Sequence, residues 1–129
     1  MLIDADLIAF AATADLERSH AFYGGVLGLR RVESSAFANV YDAHGTMLRV
    51  TLVDRVVAAP YTSLGWGVPD VHAAIEVLVA AGVSFQRFES VEQDEAGVWT
   101  APGGGKIAWF RDPDGNTLSL AEGVALPTD

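Results

Sequence analysis

Near one end of the chain stand two carboxylates, a glycine and an asparagine in close order: Asp112-Pro113-Asp114-Gly115-Asn116. Oxygen donors so spaced could ring a hard cation. A calcium loop of the EF-hand type needs about five oxygen ligands over roughly twelve residues, a glycine at the sixth and a closing Glu. Here the glycine comes too early and a proline intervenes, so the match fails. The local chemistry is that of a tight turn. Proline presets φ, and Gly and Asn tolerate positive φ.

Other candidate chemistry fares no better. Gly103-Gly104-Gly105-Lys106 suggests a phosphate-binding loop, but Thr100 and Ile107 stand where that motif needs Gly and Ser or Thr. No nucleophile elbow and no paired-histidine zinc motif occurs. Of the three histidines, His20 and His72 fall on expected helices and His44 in a turn. All three are expected to be surface or packing residues.

These residues are positioned by elements that occur twice. Leu7–Asp15 (LIAFAATAD) and Thr62–Asp70 (TSLGWGVPD) are short apolar stretches, each ending at an Asp that opens a helical pattern. Later, Asp42, Gly45 and Leu48 fall in register with Asp112, Gly115 and Leu118. The second copy carries extra residues, expected around Gln93 to Gly105. Each copy reads strand, helix, three strands. Asp15 and Asp70 are N-cap residues by type. Leu16, His20, Tyr23 and Leu27 recur at helical spacing in the first helix, with Gly24-Gly25 expected to fray its end. Val71, Ile75 and Leu78 do so in the second, and Gly82 is placed to stop it. Strands are expected over Arg30–Glu33, Phe37–Tyr41, Thr46–Val53, Val83–Phe88, Val98–Thr100, Lys106–Arg111 and Thr117–Ala121. The fold class is α+β.

Composition limits the partners. A chain of 129 residues, half of them apolar, suits a single domain over residues 1–129, with module one about 1–55 and module two about 60–124. The net charge of −9, with eight scattered Lys and Arg, argues against nucleic acid. No apolar run approaches the ~18 residues of a membrane span. The start, MLIDAD, has no basic segment and predicts no secretory signal. The lack of cysteine excludes disulfides and thiol chemistry and fits a cytoplasmic protein.

DLERSHAFYGGVLGL (Asp15 to Leu29) together with FRDPDGNTLSLAE (Phe110 to Glu122) resembles the vicinal oxygen chelate superfamily. That group includes glyoxalase I, extradiol dioxygenases, fosfomycin-modifying transferases and bleomycin-resistance proteins. The resemblance covers nearly the whole chain. It implies two βαβββ modules whose curved mixed sheets form a ligand cup, and a homodimer. Metal-dependent members place ligands on the strand before each helix and on the strand after each hairpin turn. Those positions hold Ile8, Arg49, Ser63 and Ser119 here. Metal binding would need His, Glu or Gln. Ile has no donor, Arg is a permanent cation, and neutral Ser is a weak ligand. No metal and no cofactor is therefore expected.

Strand alternation extends the lining of the implied cup. The expected ligand-binding residues are Phe10, Phe37, Asn39, Tyr41, Arg49, Ser63, Trp99, Trp109 and Ser119. Trp66 is expected on the opposite face. The aromatic residues suit a planar ligand. Arg49 needs a carboxylate or phosphate, supplied by the ligand or by an internal acid such as Glu89 or Glu122. The leading expectation is a metal-free small-molecule binding protein, of the kind that sequesters antibiotics or xenobiotics. The alternatives are a divergent lyase, isomerase or dioxygenase, with Tyr41 and His44 as acid–base groups, or a degenerate module serving as a dimer surface.

Overall fold

A computed structural model describes residues 1–127. They form two compact units. The first holds Met1–Ala58 with Asp112–Gly115, and the second holds Ala59–Arg111 and the segment from Asn116 on.

In the first unit, β1 (Ile8–Thr13) is followed by α1 (Leu16–His20), β2 (Arg30–Ser34), β3 (Ala38–Ala43) and β4 (Thr46–Leu52). The sheet order is β1-β4-β3-β2, with β1 parallel to β4 and the other pairs antiparallel. The second unit repeats the plan. It holds β5 (Thr62–Gly67), α2 (Val71–Ala80), β6 (Trp99–Thr100), β7 (Lys106–Arg111) and β8 (Thr117–Glu122), in the order β5-β8-β7-β6. Two similar βαβββ modules with four-stranded mixed sheets are thus present.

The helix starts follow the expected chemistry. Asp15 accepts from the backbone N–H of Arg18 at 3.0 Å, and Asp70 from that of Ala73 at 3.1 Å. Each satisfies an N–H that has no partner within its helix. Gly82, at φ +97°, ends α2, and Val83 N–H donates to the Leu78 carbonyl at 3.0 Å. That is the six-to-one bond of a Schellman stop, which the left-handed glycine makes possible. The apolar stripe Val71, Ile75 and Leu78 is buried, and α2 lies against β7 and β8.

The first helix departs from expectation. Only Leu16–His20 is α-helical, and Ala21–Val26 continues as a π-helical turn. Leu27 N–H therefore reaches back to the Phe22 carbonyl at 2.8 Å. Gly24-Gly25 do not fray the end but sit inside this wide turn. At Gly24 a Cβ would lie 2.4 Å from His20 Cε1, so the turn is glycine where the imidazole lies over its backbone.

Val83–Phe88 also differs. It forms a lone bridge, Phe85 to Phe110, rather than a strand. Beyond it the chain is held as an ordered loop. The Gln93 amide accepts from Phe88 N–H at 2.8 Å and donates to the carbonyls of Gln86 (2.9 Å) and Gly97 (2.8 Å). The extra residues of the second copy therefore lie between α2 and β6, overlapping only the first part of the expected Gln93–Gly105. Among the described residues no helix is long and apolar enough to cross a membrane.

Candidate functional site

The opening question concerned Asp112-Pro113-Asp114-Gly115. Gly115 has φ +87°, and its N–H donates to the Asp112 carbonyl at 3.0 Å, closing a turn. Asp112 Oδ1 accepts from Asp114 N–H at 2.9 Å. The carboxylates then bind protein. Asp112 Oδ2 accepts from the Tyr23 hydroxyl at 2.6 Å. Asp114 accepts from the Thr13 hydroxyl at 2.6 Å, Ala14 N–H at 3.0 Å and Arg18 Nη2 at 2.8 Å. The segment is a latch of the first unit, fastened over the junction of β1 and α1.

Tyr23 is fully buried. Burial pushes its hydroxyl pKa far up, and the neighbouring Asp112 carboxylate, by its charge and its hydrogen bond, pushes it further. Tyr41, also fully buried, is raised chiefly by burial. An unfolded chain ionises tyrosine near pH ~10. Above that pH the folded state holds protons that the unfolded state has released. Stability is whole below pH ~10 and falls as pH rises, by about 1.4 kcal/mol per pH unit for each such tyrosine. In an alkaline absorbance titration, Tyr23 should give no phenolate signal until the protein unfolds. Smooth ionisation of all three in folded protein would contradict this.

The face of the first sheet that carries Arg49 is fixed by register. Arg49 pairs with Phe10 on β1 and with Val40 on β3. Phe10 is 60% exposed, and Ile8 and Met47 are each 43% exposed. Among the described residues the Arg49 side chain forms neither a hydrogen bond nor an ion pair. Both expected internal partners belong to the second unit. Glu122 Oε1 accepts from Val71 N–H at 3.0 Å, and its Oε2 lies 3.7 Å from Lys106 Nζ. Glu89 is exposed.

Two lining assignments are corrected by the same register. Asn39 pairs with Val50 and Tyr41 with Leu48, on the opposite face from Arg49. Asn39 Nδ2 donates to the Leu16 carbonyl at 3.2 Å, and the Tyr41 hydroxyl lies 2.9 Å from His20 Nδ1. Both are buried beneath α1. Burial, and then the Arg31 charge, lower the His20 pKa. Phe37 precedes β3 and is 74% exposed. His44, at φ +53°, sits in the β3–β4 turn. Tyr41, one of the acid–base groups considered, thus lies on the face opposite Arg49. The residues that do share that face, Ala38, Val40 and Asp42, were missed because alternation groups residues but does not say which face a group takes.

On the second sheet the alternation placed its residues as expected. Trp109 pairs with Ser119, and Ser119 with Gly65. Trp99, opposite Ile107, stacks on Trp109 with ring centroids 6.3 Å apart, and Phe88 meets Trp109 edge-on at 5.4 Å. Trp66, in register with Leu120, takes the opposite face. Ser119 is buried, and a Cβ on Gly65 would lie 2.6 Å from its Oγ. The Ser119 hydroxyl occupies the space that the glycine leaves. Ser63 falls at a register irregularity of β5, and its hydroxyl donates to the Thr117 carbonyl at 3.2 Å.

Beside Trp99 the second unit opens a cleft of ≈ 350 Å³, lined by Glu92, Gln93, Asp94, Val98, Trp99 and Thr100. Asp94 lies 2.7 Å from His72 Nε2 on α2. Burial opposes its ionisation, but the His72 bond and the N–H groups of Val98 and Ala96 outweigh that and hold its pKa low. Of this cleft, only Trp99 was foreseen. The one available signal was the extra length of the second copy.

The donor chemistry at the four positions where the sequence resemblance implies metal ligands does not suit a divalent ion. Ile8 is a hydrocarbon, Arg49 a fixed cation, Ser63 is bonded to backbone and Ser119 is buried against Gly65. Among the described residues no three of His, Asp and Glu are grouped to hold a metal elsewhere.

Comparison with known proteins bears on the fold. Residues 6–120 match the family model described as Glyoxalase/Bleomycin resistance protein/Dioxygenase superfamily. Comparison with curated proteins gives no match. Among solved structures, the chain is similar to a lactoylglutathione lyase from Agrobacterium tumefaciens, at 20% identity and TM-score 0.73, covering 93% of this chain and 94% of that one. It is also similar to a genomically encoded fosfomycin resistance protein from Listeria monocytogenes, at 18% identity and TM-score 0.74, covering 95% of each. A superfamily member from Sphaerobacter thermophilus aligns at 23% identity and TM-score 0.72, covering 95% of this chain and 99% of that one. At these identities the likeness concerns the fold.

Proposed function

The chain belongs to the glyoxalase/bleomycin resistance protein/dioxygenase superfamily, and within it we propose that this protein is a metal-free small-molecule binding protein acting by sequestration. The observation that carries the reading is the loss of donor chemistry at all four ligand positions together. A single replacement could be compensated by a neighbour. Four replacements, one of them a permanent cation and one a hydrocarbon, leave a divalent ion no coordination set.

What remains is suited to binding. The first sheet offers Phe10, Ile8 and Met47 around a cation. The second offers Trp109 in contact with both Trp99 and Phe88. Aromatic surface with few polar groups is the usual composition of a small-molecule site, and stacking adds to area burial. The ligand class is a planar, partly apolar molecule such as an antibiotic or xenobiotic, bound by a homodimer in the cytoplasm. Nucleic acid is not a partner of so acidic a chain.

Elemental analysis tests the reading. Purified protein is expected to carry no stoichiometric Fe, Mn, Ni or Zn, and EDTA should leave its thermal midpoint unchanged. A planar aromatic library should raise that midpoint for some members without turnover of the bound compound. One equivalent of a transition metal, lost to EDTA together with stability, would sink the proposal.

A further inference from the structure

The replacement at position 49 does more than abolish a metal ligand. It puts a fixed positive charge where relatives that use metal carry a ligand to a positive ion. We infer that Arg49 is the anchor for the anionic group of the ligand, a carboxylate on a flat aromatic body, with Phe10 as the surface on which that body stacks. This rests on the small-molecule reading above and narrows it to a ligand class.

The surroundings of Arg49 support the assignment. The side chain is only partly exposed and stands in register between Phe10 and Val40. A guanidinium with apolar neighbours loses hydration and gains nothing unless an acceptor meets it. The acids of its own unit do not meet it. Asp42, on the same face beside Met47, is bonded to Arg30 at 3.2 Å and to Gly45 N–H at 2.7 Å. Glu33, across Val40 on β2, makes no ion pair with Arg49, and Asp4 and Asp6 are exposed ahead of β1. Asp112 and Asp114 are held in the latch. In a chain of net charge −9, an arginine that no acid of its own unit meets is a free donor fork for a ligand anion.

The planar fork fits carboxylate in two-point fashion, which an ammonium does not. Phe10, 60% exposed and directly beside Arg49 in the sheet, offers an aromatic face at the distance of neighbouring strands. An aryl carboxylate would meet both groups at once.

The experiment uses naphthoate and its uncharged isostere naphthamide, titrated calorimetrically into the full chain and into the Arg49→Met and Arg49→Lys variants. Wild type is expected to bind naphthoate at least about tenfold more tightly than naphthamide, the gain expected of a charge-assisted pair. Arg49→Met should abolish that preference. Arg49→Lys should keep part of it. Met preserves the length and apolar stem of the side chain, and unchanged thermal midpoints show that the variants are folded.

Equal binding of the two probes by wild type, or a preference that survives in Arg49→Met, overturns the anchor and leaves the small-molecule reading standing. Binding of neither probe overturns the anchor and removes planar aromatics from the proposed ligand class. The wild-type comparison needs no variant, so a variant that fails to fold does not rescue the proposal.

Discussion

Asp114→Ala is expected to lower the stability of the folded chain by about 3 kcal/mol, roughly 10 °C in thermal midpoint. The Asp114 side chain is 2% exposed and accepts three hydrogen bonds from one small region: the Thr13 hydroxyl, Ala14 N–H and the Arg18 guanidinium. The Arg18 contact contributes the least, because that side chain is 50% exposed and recovers water when released. The main loss comes from the buried Thr13 hydroxyl, whereas the exposed Ala14 N–H can turn to water. Asp114→Asn should cost only about 1 kcal/mol. Its carbonyl can still accept from Ala14, and its amide can donate to Thr13, whose one hydroxyl proton, released from the carboxylate, can turn to the Asp15 carbonyl 3.0 Å away. Urea unfolding of the two variants measures the difference. Equal losses for Ala and Asn would show that charge, not hydrogen-bond count, is what the latch needs.

The second large effect separates two adjacent residues. Phe110→Ala should cost about 3–5 kcal/mol, the usual range for deleting a buried aromatic ring. Phe110 is 0% exposed, and its ring lies 5.4 Å from that of Phe85. Trp109→Ala, one residue earlier, should cost about 2 kcal/mol or less, because its ring is only partly buried and removing it leaves no closed cavity. The same change should remove the near-ultraviolet dichroism of the stacked Trp99–Trp109 pair and weaken aromatic ligands, which Phe110→Ala should not do at temperatures where it stays folded. If Trp109→Ala proved the more destabilising of the two, the tryptophan would be core and the binding role of this face would fail.

Much of the architecture was legible in the chain because it is written in local chemistry. Asp15 and Asp70 announce helix starts, Gly82 a helix stop, and Gly45 and Gly115 the turns that repeat between modules. Each signal depends on a side chain's effect on its own backbone, so one residue suffices to read it. The π-helical turn was not legible. Its glycine is explained by an imidazole lying over it, and that contact exists only after folding. The Val83–Phe88 segment read as a strand because its composition suits one, but the loop held by Gln93 draws the chain away after a single bridge.

The candidate site divides along the same line. The residue types at positions 8, 49, 63 and 119 were enough to argue against a metal, since donor chemistry belongs to the side chain itself. Alternation also placed Trp109 with Ser119 correctly. On β3 the same rule misassigned Asn39 and Tyr41, because a period of two leaves open which set faces which way, and only the pairing of Val40 with Arg49 settles it. The sequence alone determined that the turn at Asp112–Asn116 is no calcium loop, because its donors are too few and wrongly spaced. Only the tertiary structure decided what those two carboxylates do instead. Their partners, Tyr23, Thr13, Ala14 and Arg18, lie about a hundred residues away in the chain and become neighbours only when the latch closes over the first helix.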